Sequence, residues 1–111
     1  MSKRNNELYL QDILDSINKI LKYTSDFSFD DFKNNTITVD AVIRNLEIIG
    51  EAASHIDSKL RKDSSDIPWA HMVAMRNKMT HEYFGVDVEI LWQTIQHDLP
   101  TLKKLIQKIN D

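Results

Sequence analysis

At 111 residues the chain has room for one domain with a modest core, residues 1–111, and not for two. Its 41% apolar and 28% charged residues are ordinary for a soluble globular protein, and only two glycines and two prolines argue against a turn-rich β fold. No cysteine means no disulfide and no thiolate chemistry, and a net charge of −3 gives no broad attraction to nucleic acid.

Apolar residues then set the elements. Leu10, Ile13, Leu14, Ile17, Ile20 and Leu21 recur at spacings of three and four, which predicts an amphipathic helix over residues 6–23. Glu7, Asp12, Asp15, Lys19 and Lys22 fall on its wet side. Residues 28–32 read as a capped single turn anchored by Phe27, Phe29 and Phe32. A second long helix is expected from a cap near Thr38 to about Leu60, with Val42, Leu46, Ile49, Ala53, Ile56 and Leu60 as its core stripe. Arg44, Glu47, Glu51 and His55 follow another face of that helix at the same spacing. They form either a solvent face of i,i+4 pairs or a line that faces something. Gly50 lies inside this helix at a cost of about 1 kcal/mol relative to alanine, and a glycine there admits a close neighbour.

After a polar connection over residues 62–67, Asp66 can cap a third helix with Pro68 in its first turn and Gly85 as its stop. Asp87 caps a fourth, whose Val88, Leu91, Trp92, Ile95, Leu99, Leu102, Leu105, Ile106 and Ile109 give the cleanest period in the chain. Pro100 should bend that helix without ending it, because the pattern runs in phase on both sides. No segment alternates with period 2. The expectation is an all-α, up-and-down four-helix bundle with one short extra helix.

Within the third helix, Arg76-Asn77-Lys78-Met79-Thr80-His81-Glu82-Tyr83 sets polar groups where a core is due. At 100° per residue, with Arg76 at 0°, Thr80 lies near 40° and Tyr83 near −20°. Trp69, Met72 and Val73 fall within about 40–60° of that direction, while Asn77 and His81 flank it at roughly 100–140°. His71, Ala74, Lys78 and Glu82 mark the outward face. A guanidinium and a phenol on a core-facing stripe are costly unless they are paired or line a cleft. The stretch is therefore a satisfied polar network or a site.

Metal chemistry has no support in the spacing: His55, His71, His81 and His97 form neither HxxxH nor HExxH, and no Glu-x-x-His pair occurs. No glycine-rich phosphate loop is present, and no cofactor is implied. The basic runs at Lys59–Lys62 and Lys103–Lys108 read as solvated helix faces. What remains is arginine, a fixed fork for a phosphate, and histidine, a group that exchanges protons near neutral pH. Together they make a minimal kit for metal-free RNA cleavage, in which the ribose 2′-OH attacks the adjacent phosphate. One histidine serves poorly as both base and acid on opposite sides of an in-line displacement. A two-fold dimer pairing two copies of Arg76 and His81 in one cleft would answer that.

Arg76-x4-His81-x-Tyr83 resembles the signature of the HEPN superfamily, and specifically of HepT-like toxins. The likeness extends to residues 8–14, to residues 40–53, to Ile67-Pro68-Trp69 and to Tyr83-Phe84-Gly85-Val86-Asp87, and so to nearly the whole chain. It implies a helical bundle that dimerises, with the arginine and histidine of both protomers meeting in a cleft. It further implies a metal-independent ribonuclease of a toxin–antitoxin pair, with tRNA as the substrate the family habit suggests. The implied antitoxin is an MntA-like minimal nucleotidyltransferase that silences the toxin by transferring AMP to the motif tyrosine. Carried over, Arg76 and His81 are catalytic and Tyr83 is the modified residue. Asn77 matches the polar residue that follows the arginine, and Thr80, Arg44, Glu47 and Glu51 are candidates to line the cleft. The alternative is a helical accessory subunit that binds a nucleotide or substrate for the transferase without cutting RNA. A third reading makes Arg76, Tyr83, Glu47 and Glu51 only a buried dimer network. With no apolar run near the ~18–20 residues of a membrane span and no signal peptide in the polar N-terminus, the expected compartment is the cytoplasm.

Overall fold

The computed structural model describes residues 5–81 and 86–109, the side chain of His81 excepted. Every regular element among them is helical. Helix α1 spans Asn6–Thr24 and begins where Asn5 Oδ1 accepts from the Leu8 amide at 3.1 Å, a side-chain cap for an otherwise orphan donor. Leu10, Ile13, Leu14, Ile17 and Ile20 are buried along one face, as their spacing requires. Helix α2, Phe29–Lys33, is the expected capped turn: Ser28 and Asp31 exchange side-chain-to-backbone bonds in a capping box. Phe32 is wholly buried, its ring 5.4 Å from that of Trp92, and Phe29 reaches the same indole.

Helix α3, Thr36–Ser54, differs at both ends from the sequence expectation. Its cap is Asn35, not Thr38: Asn35 Oδ1 accepts from the Thr38 amide at 3.0 Å. At the other end the helix stops six residues before Leu60. The last turn tightens, with the His55 and Ile56 amides bonding three residues back to Ala52 and Ala53. Asp57 then caps a separate helix α4, Ser58–Asp63, accepting from the Leu60 amide at 2.9 Å. The break is held from two sides. The Asp57 amide donates to Asn6 Oδ1 at the start of α1, and Arg61 donates to the carbonyls of Ile56 and Ala53. A second short helix therefore stands where one was expected.

Helix α5, Trp69–His81, starts just after Pro68, whose carbonyl accepts from the Met72 amide at 3.0 Å. Asp66, expected as the cap, lies farther upstream. The Trp69 indole donates to the Ser64 carbonyl and pins the entry. Trp69, Met72 and Met79 are buried and His71, Ala74 and Lys78 are exposed, as the angular arithmetic requires, but Thr80, expected near the core-facing direction, is exposed, as is the flanking Asn77. The expected stop at Gly85 lies outside the described residues, as do Glu82, Tyr83 and Phe84.

Asp87 caps helix α6, Val88–Gln93, accepting from the Glu89 amide at 2.8 Å. The chain then widens into a π turn over Thr94–Asp98, where the Leu99 amide bonds to the Thr94 carbonyl, and continues as helix α7, Leu99–Ile109. Proline cannot donate and its ring crowds the carbonyl four residues back. The wide turn just before Pro100 absorbs that conflict, so the helix continues past the proline.

Helix α3 is the central member, packed on α1 and on α5, while α1 also meets α7 and α2 bridges α3 and α6. Leu46 and Ile49 of α3, Met72 and Met75 of α5 and Leu99 and Leu102 of α7 converge on one apolar pocket. The result is an all-α bundle of four long helical segments, with α3 reserving part of its surface for neither neighbour. Among the described residues no helix is long and apolar enough to cross a membrane.

Candidate active-site groove

Arg44, Glu47 and Glu51 of α3, and His55 just past its end, recur at three- and four-residue intervals and so share one face. That face is the floor of an open groove of about 380 Å³. Tyr9 and Asp12 of α1 form one wall, and Arg76 and Thr80 of α5 form the other. The structure thus brings Arg76, Thr80, Arg44, Glu47 and Glu51 together as the sequence grouped them. Asn77 is exposed on α5 and is not among the groove residues. The backbone of His81 ends α5, but its side chain, like Tyr83, lies outside the described residues.

Arg76 reaches the groove because α3 has no side chain at Gly50. A Cβ there would overlap Cβ and Cγ of Arg76 and lie 2.7 Å from the Met72 carbonyl oxygen. The two helices cross closely at this point, the arginine stem fills the space, and its head emerges with 29% of the side chain exposed. Nη1 lies 2.9 Å from Glu51 Oε2. Nε is buried, and no described residue accepts from it. A buried donor beside an open groove calls for a partner, and an oxygen of a bound ligand would supply one.

The other oxygen of the same carboxylate, Glu51 Oε1, lies 3.3 Å from His55 Nε2. The His55 ring stacks on Tyr9, with centroids 5.0 Å apart and planes 14° from parallel. Glu51 therefore joins the arginine to the histidine. The groove is not a basic channel, since Asp12, Glu47 and Glu51 set three carboxylates against Arg44 and Arg76. Its cationic fork already holds an anion, and a phosphate entering it would take the place of a carboxylate. Among the described residues no group of three or more His, Asp or Glu side chains is placed to hold a metal ion.

Sequence reasoning set His55 on the polar line of α3 without naming it a cleft residue, and it missed two more residues outright. Asp12 reads as part of the wet side of α1, and Tyr9 carries no mark in the pattern. Both sit at the edge of the α1 core stripe, three residues apart, and the signal that could have found them is that shared edge.

The family model for HepT-like ribonucleases matches residues 13–109. The chain belongs to the HepT-like ribonuclease family. Several relatives agree along nearly their whole length. A Methanocaldococcus jannaschii protein named “Putative RNase MJ1380” is 42% identical over 96% of this chain and 98% of its own. The Thermococcus cleftensis protein named “Probable ribonuclease HepT” is 44% identical over 96% and 97%. A Caldanaerobacter subterraneus protein named “Putative RNase TTE0752” is 38% identical over 91% and 90%. No solved structure matches the chain significantly. For a HepT-like protein the groove carrying Arg76 is the natural candidate for the active site.

Proposed function

We propose that the chain is an endoribonuclease toxin that cuts RNA, tRNA being the first substrate to test, through attack of a ribose 2′-OH on the adjacent phosphate. In this reading the Arg76 fork leaves Glu51 to hold the non-bridging oxygens, and His81 takes the 2′-OH proton. The active form is a homodimer whose two grooves meet, and the reaction uses no metal. A nucleotidyltransferase partner of MntA type silences the toxin by adding AMP to Tyr83. The observation that carries the reading is the half-buried Arg76 set by Gly50 at the lip of an open groove in a HepT-like chain.

The test uses protein purified with Tyr83 unmodified, incubated with RNA in the presence of a chelator. Cleavage is expected, with a large loss in Arg76→Ala and His81→Ala. Intact mass after co-expression with the partner should rise by one or more AMP units and stay unchanged in Tyr83→Phe. No cleavage of any RNA by the unmodified protein would sink the toxin reading.

The carboxylate seated on Arg76 and the mixed sign of the groove favour one second reading, a non-enzymatic subunit that holds a nucleotide for the transferase. There Arg76→Ala would weaken nucleotide binding while RNA stayed intact at every pH.

A further inference from the structure

We infer that His55 is a second proton-transfer group of the RNA-cutting groove, the general acid that delivers a proton to the departing 5′ oxygen. The inference rests on the ribonuclease reading and goes beyond its Arg76–His81 pair. In-line cleavage needs a base on the 2′ side of the phosphorus and an acid on the 5′ side, and one imidazole serves both positions poorly. His55 and Arg76 line one groove of one protomer and share one carboxylate, Glu51, at 3.3 and 2.9 Å. A carboxylate on one ring nitrogen of a histidine orients the ring and decides which nitrogen faces the substrate. The Tyr9 face fixes the plane of the ring. The imidazole is still half exposed, 49% of the side chain, and with Nε2 on Glu51 its other nitrogen, Nδ1, is the one left to serve a substrate.

The exchange at Glu51 links binding to chemistry. When a phosphate takes the guanidinium, the displaced carboxylate stays on His55 and keeps its ring in place. The 2′ oxygen then forms its bond to phosphorus and its proton passes to His81. The bond from phosphorus to the 5′ oxygen breaks, and the Nδ1 proton of His55 passes to that oxygen. The products are a 2′,3′-cyclic phosphate and a 5′-hydroxyl end, with one proton gained at His81 and one lost at His55. Among the described residues, the charged and titratable groups that line the groove with His55 are Tyr9 and Asp12 on α1, Arg44, Glu47 and Glu51 on α3, and Arg76 on α5.

The experiment compares two RNA substrates, one ordinary and one carrying sulfur in place of the bridging 5′ oxygen at the scissile bond. A thiolate leaves without protonation, so it needs no acid. His55→Gln is expected to slow the ordinary substrate by about 10²–10⁴-fold and the thio substrate hardly at all. The alkaline limb of the pH profile of kcat/KM should disappear with it. Arg76→Ala and His81→Ala should slow both substrates. Equal slowing of both by His55→Gln, with the alkaline limb kept, would reduce His55 to a stacking or packing role and overturn the inference. So would wild-type rates on both. If His81→Ala and Arg76→Ala also cut normally, the ribonuclease reading of the groove fails instead. Circular dichroism checks that His55→Gln folds, and His55→Phe, which keeps the ring stack, should fail on ordinary RNA as His55→Gln does.

Discussion

Arg76 and Gly50 occupy one crossing point of α5 and α3, and the arginine stands where it does because the glycine leaves room for its stem. The glycine is helical and needs no unusual backbone angle, since no positive φ occurs among the described residues. Its role is space. Gly50→Ala would gain about 1 kcal/mol of helix propensity but force a methyl against the Met72 carbonyl and the arginine stem. Overpacking of that kind costs about 1–3 kcal/mol, and a rigid backbone oxygen sets the cost at the upper end. Thermal denaturation should fall by about 5–15 °C, with RNA cleavage falling further than stability explains. A variant as stable as the parent would contradict the close crossing.

Arg76→Lys separates charge from geometry. Lysine keeps the positive charge but offers no planar fork, so it cannot hold two phosphate oxygens in one plane. Cleavage should drop by about 10²–10³-fold, close to the loss in Arg76→Ala, while the melting temperature changes little. Steady-state rates on one RNA substrate decide the matter. Near-normal activity in the lysine variant would mean that charge alone is used.

Glu51→Gln removes the anion that competes for the guanidinium. RNA binding should tighten, read as a lower KM or a lower Kd at fixed ionic strength, because a phosphate no longer displaces a carboxylate. The same variant leaves His55 without its charged partner, so kcat should fall even as KM falls. The exposed ion pair itself contributes only about 0–1 kcal/mol, and stability should hardly move. Unchanged KM would place Glu51 outside the binding step.

Asp57 carries the pH dependence of the α3–α4 break. The Leu60 amide, then the Asn6 side chain, hold its carboxyl below the ordinary value of 3.8. A carboxylate held low in the folded state adds stability that is present above its unfolded value and lost as pH falls through its folded one. Stability should therefore decline below about pH 4 in the parent, and decline less in Asp57→Asn, which keeps the cap. Urea denaturation at pH 6 and pH 3 measures the difference. An identical pH dependence in both proteins would remove Asp57 from the account.

Much of the bundle was legible because its long helices carry clean apolar periods, and two caps, Ser28 before the short α2 and Asp87 before α6, stand where the sequence put them. The α3–α4 break was not legible. Ile56 and Leu60 continue the stripe in phase, and Asp57 reads equally well as a helical residue until Asn6 and Arg61, remote or looping back, are seen to hold the turn. The groove was half legible. Arg44, Glu47 and Glu51 announce a shared face, and Gly50 announces a close neighbour. That the neighbour is the stem of Arg76, and that Tyr9 and Asp12 complete the wall, depends on how α1 and α5 flank α3. Such inter-helix relations leave no periodic trace in one chain.

Along α6 and α7, the buried residues Leu91, Ile95 and Leu99 stand four apart twice in succession. On a regular α-helix each such step drifts about 40° around the axis, and the three-residue step from Leu99 to Leu102 turns back by about 60°. The π turn at Thr94–Asp98 widens the coil between those steps, which makes it a place where one surplus residue is stored inside a continuous rod. This stretch should therefore tolerate loss of a single residue better than any other long helical segment. The bundle can vary its length behind the core while the groove on its far side keeps its dimensions.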